Sequence, residues 1–593
     1  MTPISRFLPF AASTTPLQAA SYLFGISLFS ISFLVFLNSS VSFVVTDLIG
    51  QKDGVGDVVG TLGFADEVVA LVACPVWGLV SDRLGVRWVA VLGYIIISAA
   101  LVLLVQARNV YPQLLLVRIF FAVGATAAAT MVTAILPSLT DESEGRASSR
   151  ASKHRRAVRM SAHSLESDVT ITPERYSNAS ASAHSADGEL QQQQQEEEEE
   201  EDQDQNVQKP SALAGYVGLF TGCGALVALS LFLPLPTLFG DMDGVSTGDA
   251  VRYSYYVVAL VALCVGAFVF IGLKGLRGEE GKGWRVLFGA KRQGAGDSTE
   301  EGEEDERVQA SILPYRYLLR EAVKLGFTDP NIAIGYTGGF VARASTVAIS
   351  LFIPLYVNTY FIGNGFCRGS PHDPSPELKE ECRAAYILAS ILSGVAQLLG
   401  LVFAPVFGYV ASYARQRGKG NMPVRVASIL GIVAYATFPH LQSPEYKNMD
   451  GRGGSPVVLL LVALMGVSQI GAIVCSLGSL GRGVLTADSG PARGETSTGE
   501  DAALLGRSAR DARNRVRLKG SVAGVYSWCG GAAILLLTKL GGYLFDKVSG
   551  GAPFYMMAVF NGVWLAASLA IDMGREFRSL AREHSYGVER GHD

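Results

Sequence analysis

Residues 78–87 read Gly78-Leu79-Val80-Ser81-Asp82-Arg83-Leu84-Gly85-Val86-Arg87 and separate two long apolar runs. Each residue type has a physical reason to occur there. A glycine such as Gly78 lets a neighbouring helix approach closely, and Gly85 permits the chain to reverse at positive φ. Asp82 supplies a carboxylate at the membrane edge, while Arg83 and Arg87 mark the cytoplasmic side. The stretch therefore predicts a tight charged turn between two membrane helices.

The composition supports a membrane protein independently of this turn. Of 593 residues, 49% are hydrophobic and only 17% are charged, and the mean hydropathy is +0.30. The apolar residues fall in runs of about 20 or more, the length that crosses a bilayer. The first run, residues 21–45, is too long for the core of a signal peptide, so we expect an uncleaved span. The net charge of −4 shows no basic excess that would indicate nucleic-acid binding.

We predict twelve spans in two halves of six. The spans cover approximately residues 21–45, 57–80, 88–105, 112–135, 212–233, 253–273, 327–360, 384–413, 424–438, 456–477, 522–540 and 554–571. The predicted domains are an N-terminal tail (1–20), a first half (21–273), a central loop (274–326), a second half (327–573) and a C-terminal tail (574–593).

Two long loops interrupt the halves, at residues 141–210 and 479–520. The first is Ser-rich and basic and then runs through Gln191–Gln195 into the acidic stretch Glu196–Glu201. Such a segment cannot bury a core, so we expect disorder. Its basic part either lies on the anionic cytoplasmic leaflet or is solvated without a partner. With twelve spans, the cation-rich loops all fall on one side, which the positive-inside rule assigns to the cytoplasm together with the inserts at residues 141–210 and 274–324 and with the tails.

The pattern G-x-x-x-D-R-x-G-x-R in residues 78–87 resembles the loop between the second and third helices of the major facilitator superfamily at every fixed position. A chance basic turn is the alternative. The resemblance implies an all-α membrane protein with twelve transmembrane helices in two pseudo-symmetric halves, of the general-substrate type. In the family, the carboxylate of this motif faces the eleventh helix and holds the halves together in the outward-facing state. Here that role would fall on Asp82, with the helix start near Ser521.

Two further stretches resemble family features. Residues 408–418 look like an eroded copy of the motif, with Ser412 in place of the aspartate, one half-molecule after Gly78. Arg118 with Gly124 resembles the fourth-helix motif that is implicated in proton coupling, although Ala122 replaces a usual glycine.

Ionisable residues inside spans are costly and indicate a partner, a water-filled cavity or a proton path. Four such candidates occur: Asp66, Glu67, Arg118 and Arg343. Neighbours on a helix point about 100° apart, so Asp66 and Glu67 should not face the same cavity. Either a carboxylate couples transport to protons, or the pair only fixes packing through Arg118 or Arg343.

The family architecture places the first, fourth, seventh and tenth helices around a central path. This arrangement favours Arg118, Arg343 and Gln469 as contacts of the solute, with Asn38 and Tyr336 as lesser candidates.

The chain shows no pattern typical of a catalytic or metal centre. Cysteine and histidine spacings do not indicate a metal site, and neither a cofactor nor a nucleotide-binding loop is predicted. Cys367 and Cys382 flank a loop on the non-cytoplasmic side, where a disulfide is permitted but two free thiols remain the alternative.

These features predict a monomeric secondary transporter, not an enzyme, that moves a small solute through the lipid bilayer by alternating access, with protons as one coupling ion. A drug or metabolite efflux antiporter is an alternative, although the fifth span carries glycines without the Gly-Pro pair of family antiporters. A transporter-like sensor or receptor is the alternative of another class, suggested by the long first insert. The plasma membrane and a vacuolar or other organellar membrane are the expected locations.

Overall fold

The computed structural model describes residues 9–51, 55–140, 209–277, 282–287, 314–365, 383–417, 420–448, 453–485 and 518–589, except residues 12 and 243, together with residue 279. Within these residues the chain is helical and contains no β-strand. Most of the first long insert and of the loop after the tenth span lie outside them, as do Cys367 and Cys382.

Twelve helices in the described part of the chain are long and apolar enough to cross a membrane, which confirms the predicted number. The spans, numbered in chain order, are Pro16–Ile49, Val58–Leu84, Val86–Leu104, Val110–Thr140, Lys209–Gly240, Thr247–Gly272, Pro330–Gly363, Ala384–Gln416, Met422–His440, Val457–Leu485, Lys519–Lys547 and Ala552–Gly574. We call the end of the bundle that carries Asp82 the motif end.

Several helices extend beyond the apolar runs that predicted them. The first begins at Pro16 because Thr15 and Gln18 form a capping box there. The tenth continues to Leu485, and the twelfth helix runs on to Glu589. A separate helix, Tyr315–Thr328, which we call the connecting helix, lies within the predicted central loop. Hydropathy marks only the part of a helix that lipid surrounds, so the polar ends of these helices were assigned to loops and tails.

Wide π-helical turns interrupt the fifth and eleventh spans at equivalent depths, Ala228–Phe232 and Leu537–Gly541. In each span the π turn follows about five turns of helix, as expected if the two halves repeat one architecture. Another wide turn, Ser21–Ser27, occurs in the first span. Tyr94 donates a 2.9 Å hydrogen bond to the Gly25 carbonyl in that turn. The third span thus supplies the hydrogen bond that the Gly25 carbonyl needs and that lipid could not provide.

The two halves meet most closely at the motif end, where glycines replace side chains. A Cβ added to Gly78 would lie 2.5 Å from the carbonyl oxygen of Gly520 and 2.9 Å from the Cα of Gly524. The second and eleventh spans therefore touch backbone to backbone, which is the reason for small residues at membrane-helix contacts.

The fifth and eighth spans make a matching contact. A Cβ on Gly215 would lie 2.9 Å from the Cα of Gly408 and the same distance from the carbonyl oxygen of Ala404. Gly408 belongs to the eroded second motif, so the glycine of that motif packs as Gly78 does. The fold thus closes its motif end with two backbone contacts related by the repeat.

We expect Gly78→Ala to lower the stability of the protein although alanine favours helix. The new methyl group meets backbone atoms that cannot move aside, and overpacking of this kind costs about 1–3 kcal/mol. Gly63→Ala is the matched control, because it lies in the same helix with nothing within 4 Å of the added Cβ. In detergent, the melting temperature of Gly78→Ala should fall below that of Gly63→Ala. Equal melting temperatures would show that the close contact is not under steric constraint.

Candidate functional site

Asp82 binds the start of the eleventh span across the junction of the halves. Its two carboxylate oxygens accept the backbone N–H groups of Gly520 and Ser521, each at 2.7 Å, and the Ser521 hydroxyl also donates to it. The first N–H groups of a helix have no partner inside that helix, and the helix dipole favours an anion beside them. A carboxylate at this position therefore holds the second and eleventh spans together.

The other motif residues shape the turn around Asp82. Gly85 adopts φ +99°, which other residues rarely reach, and the third span begins immediately after it. The Arg87 Nε donates to the Phe270 carbonyl at 2.7 Å, so this arginine ties the third span to the sixth. The Arg83 guanidinium lies 3.6 Å from the centre of the Tyr315 ring in the connecting helix. Arg87 thus fixes the turn to the sixth span, and Arg83 fixes it to the connecting helix.

Arg118 forms the main buried ion pair of the first half. Its Nε lies 3.0 and 2.9 Å from the two carboxylate oxygens of Asp66, and one of its terminal nitrogens also donates to the side-chain oxygen of Asn38. Arg118 is 2% exposed and Asp66 is 13% exposed. The three residues come from the fourth, second and first spans, so the pair fixes those helices relative to each other.

One atom of this cluster lacks a partner. The Nη1 of Arg118 is buried and makes no hydrogen bond within the described residues. Leaving a charged donor unpaired costs free energy. A solute or a water molecule with a suitably placed oxygen would satisfy it.

Glu67 points in a different direction from Asp66, as the 100° rotation between neighbours requires. It lies within electrostatic range of Arg343 on the seventh span, but no ion pair closer than 4 Å joins the two within the described residues. Arg343 is exposed, and its aliphatic stem packs against Gly530 of the eleventh span, where an added Cβ would lie 2.7 Å from the Cγ of Arg343. Glu67 and Arg343 therefore face each other across the two halves without being locked together.

The remaining solute-path candidates divide into two kinds. The Gln469 side chain donates to the Thr346 hydroxyl at 3.0 Å, so it joins the tenth and seventh spans close to Arg343. Tyr336 is instead buried at the motif end, where its hydroxyl donates to the Ala322 carbonyl of the connecting helix at 3.1 Å. In this conformation Tyr336 therefore packs between the seventh span and the connecting helix, and its role as a path residue stays a prediction.

The motif end contains a buried charge that was not predicted from the sequence. Arg482 lies in the part of the tenth span that was assigned to a loop, and it donates to the hydroxyls of Ser211 and Ser479. The arginine itself was the misleading signal, because a charge after an apolar run usually marks the helix end. Its glycine-rich surroundings, Gly478, Gly481 and Gly483, pack against neighbouring helices and were the feature that indicated continued helix.

No disulfide or metal centre appears in the described part of the chain. The five cysteines there, Cys74, Cys223, Cys264, Cys475 and Cys529, are free thiols. No group of three or more His, Cys, Asp or Glu residues is arranged to hold a metal ion among the described residues.

Comparison with known proteins gives a sequence match and a fold match. Residues 28–152 match the sequence profile of the Major Facilitator Superfamily. A bacterial homologue of the iron transporter ferroportin, in its outward-facing state, has a similar fold at 13% identity, with 94% of this chain and 99% of that chain covered and a TM-score of 0.52. The proton:xylose symporter XylE aligns at 12% identity over 93% of both chains, with a TM-score of 0.46. No curated protein sequence matches the chain.

The profile match covers the first four spans and includes the complete motif of residues 78–87. The fold match extends over the other eight spans, and the described chain is all-helical with twelve candidate membrane helices. The proteins of this family and fold are transporters and not enzymes. The chain is therefore a multi-pass integral membrane protein that is similar to the Major Facilitator Superfamily in the sequence of residues 28–152 and shares the fold of the ferroportin homologue over most of its length.

Proposed function

We propose that the protein is a secondary active transporter that moves a small polar solute by alternating access between its two halves. The observation that carries this proposal is the contact of Asp82 with the first turn of the eleventh span, which closes the motif end with hydrogen bonds that can break and re-form. Charged groups from both halves lie deeper in the bundle. A reversible closure at one end of a polar path is what alternating access requires.

Donor groups of both halves supply the proposed solute contacts. Arg118 has a free N–H in the first half, while Arg343 is exposed and Gln469 lies near it in the second. A solute that bridges these donors would contact both halves and favour their closure around it. Because one chain supplies both sides of the site, we propose that it works as a monomer.

We further propose that coupling to protons, where it occurs, uses Glu67 rather than Asp66. Both carboxylate oxygens of Asp66 accept hydrogen bonds from Arg118, and protonation of Asp66 would leave a buried arginine without its counter-ion. Glu67 has no such bond, and its neighbour Arg343 belongs to the opposite half. A movement of the halves would change the distance between Glu67 and Arg343 and with it the proton affinity of Glu67.

We also propose that the motif end faces the cytoplasm. Arg83, Arg87, Arg415, Arg417 and Arg425 all lie at this end, as the positive-inside rule requires. The membrane would be the plasma membrane or that of a vacuole or another organelle.

The substrate should emerge from comparing metabolites in cells that lack the protein and cells that overexpress it. A solute found in this way would be tested by counterflow in proteoliposomes that contain the purified protein. Counterflow without a gradient establishes a carrier, and the direction of accumulation separates uptake from efflux antiport. If no metabolite changes and no counterflow occurs, the protein is better explained as a sensor.

Asp82→Asn should leave abundance normal and impair transport. Asparagine keeps the size but not the charge, and only one of its two side-chain polar atoms can accept a backbone N–H. Losing a charged hydrogen bond weakens the closed state by about 1.5–3 kcal/mol, roughly a ten- to hundredfold shift of the conformational equilibrium. Asp47→Asn, at the opposite end of the bundle, is the control. Unchanged counterflow in Asp82→Asn and Asp82→Ala would reduce the motif to a topological turn.

Asp66→Asn and Glu67→Gln should differ in kind. Removing the partner of Arg118 costs about 3–5 kcal/mol, so Asp66→Asn should reduce abundance and Asp66→Asn with Arg118→Gln should restore it. Glu67→Gln should fold normally and exchange solute down its gradient, but should no longer accumulate solute against it. Both are measured by melting temperature and by accumulation across a range of pH. Accumulation with an unchanged pH profile in Glu67→Gln would remove this residue from the proton path.

A tag on the C-terminal tail should resist protease added to intact cells, because the twelfth span ends at the motif end, which we place on the cytoplasmic side. If the protein lies in an organellar membrane, the same tag should be cleaved by protease added to sealed, isolated organelles. A second tag between the first and second spans should behave oppositely in whichever preparation carries the protein on its outer membrane. Cleavage of the C-terminal tag in intact cells, or its protection in sealed organelles that carry the protein, would reverse the topology.

A further inference from the structure

Glu279 occupies the motif end, although it lies outside the spans and outside the family motif. The chain that follows the sixth span returns to the turn at residues 84–86. There the Gly283 N–H donates to the Arg83 carbonyl at 3.0 Å, and the Val86 N–H donates to the Glu279 Oε2 at 2.6 Å. Val86 is the first residue of the third span, so Glu279 accepts one of the N–H groups that a helix start leaves free.

Gly85 has a second role in this arrangement. A Cβ at residue 85 would lie 2.7 Å from the Glu279 Oε2. The glycine that permits the turn therefore also makes room for the carboxylate. Glu279 is thus fixed to the first half of the protein by a bond to backbone rather than to a mobile side chain.

The other oxygen of Glu279 reaches the second half. Its Oε1 lies 2.5 Å from the Nζ of Lys519, the first residue of the eleventh span, and 3.1 Å from the Nζ of Lys282. Lys519 is 2% exposed and also donates to the Ser138 hydroxyl of the fourth span at 2.6 Å. Glu279, 13% exposed, is therefore an ionic bridge between the two halves.

Lys519 needs this bridge for two reasons. A cation at the N-terminus of a helix is opposed by the helix dipole, and a buried ammonium has lost its water. Burial alone would raise the pKa of Glu279, but the charges of Lys519 and Lys282 outweigh it and hold that pKa below its usual range. The carboxyl group is thus ionised at neutral pH, and it supplies the negative charge that Lys519 requires.

Asp82 and Glu279 hold the same helix turn by different atoms. Asp82 accepts the amides of Gly520 and Ser521, and Glu279 binds the ammonium of Lys519. We infer that Glu279 is a second gating carboxylate, which stabilises the conformation closed at the motif end and releases Lys519 to water whenever the halves separate. This inference rests on the alternating-access cycle proposed above.

The test measures opening of the motif end directly and needs no known solute. Leu136 is buried between the fourth and tenth spans, where its side chain contacts Gly481 of the other half. In a background with the seven native cysteines replaced, Leu136→Cys should react slowly with a water-soluble maleimide. The purified protein in detergent is used, so that reagent reaches the site without depending on membrane orientation.

Glu279→Gln should speed this labelling about tenfold or more, because it leaves Lys519 buried without its counter-ion. Lys519→Met should have a similar effect, and the double variant should not exceed the larger single effect, as expected when both changes break one interaction. Glu321→Gln is the matched control, since among the described residues that carboxylate forms an ion pair with the exposed Lys324 on the connecting helix. Melting temperatures measured in parallel identify any variant that labels quickly because it has unfolded.

Asp82→Asn separates the two proposals. If Asp82→Asn speeds labelling while Glu279→Gln labels like Glu321→Gln, Glu279 is only a structural brace and the inference fails. If all variants label at the same rate, the motif end does not open and the alternating-access proposal itself fails. Should Glu279→Gln not fold, Glu279→Asp replaces it, because the shorter side chain keeps the charge but cannot span Val86 and Lys519 together. Labelling of Glu279→Asp at the rate of Glu321→Gln would then overturn the inference.

Discussion

The N–H groups at the start of the eleventh span require hydrogen-bond acceptors. The arrangement of the motif end depends on which residues supply those acceptors. These groups lie between the halves, where water is largely excluded. Asp82 reaches Gly520 and Ser521 only because the second and eleventh spans touch at Gly78 and Gly524. A larger residue at either glycine would separate the carboxylate from the amides it binds. The backbone contact and the charged hydrogen bonds are thus one interdependent unit.

The repeat preserves the backbone contact of this unit but not its charge. Gly215 and Gly408 bring the fifth and eighth spans together as closely as Gly78 and Gly524 bring the second and eleventh, since an added Cβ would lie 2.9 Å from the facing Cα in each case. Ser412 stands in the place of the aspartate and forms no side-chain hydrogen bond across the halves within the described residues. On that side the buried Arg482 donates to the Ser211 hydroxyl. The two symmetric contacts are therefore closed by different chemistry, a carboxylate on backbone amides at one and an arginine on a hydroxyl at the other.

The sequence predicted the spans well, because hydrocarbon thickness imposes a length that hydropathy can detect. The sequence did not predict where the helices begin and end. Thr15 caps a helix start before the first apolar run, the tenth helix continues past Arg482, and the twelfth continues beyond Gly574. The motif could be recognised from the sequence because its residues are adjacent in the chain. The ion pair of Glu279 and Lys519 could not be predicted, because the two residues are 240 positions apart and only the fold brings them together. The contact of Tyr336 with the connecting helix could not be predicted either, because that helix lies mostly in a stretch assigned to a loop.

The two charged pairs deeper in the bundle differ in a way that bears on mechanism. Asp66 and Arg118 both belong to the first half, so a rigid rocking movement leaves their bonds intact. Glu67 belongs to the first half and Arg343 to the second, so the same movement changes the field that each exerts on the other. Adjacent carboxylates on one helix thus acquire different tasks from the 100° rotation between them. A pair within one half keeps its geometry during such a movement, whereas a pair between halves can couple protonation to conformation, and this difference is the ground on which we propose Glu67 for coupling.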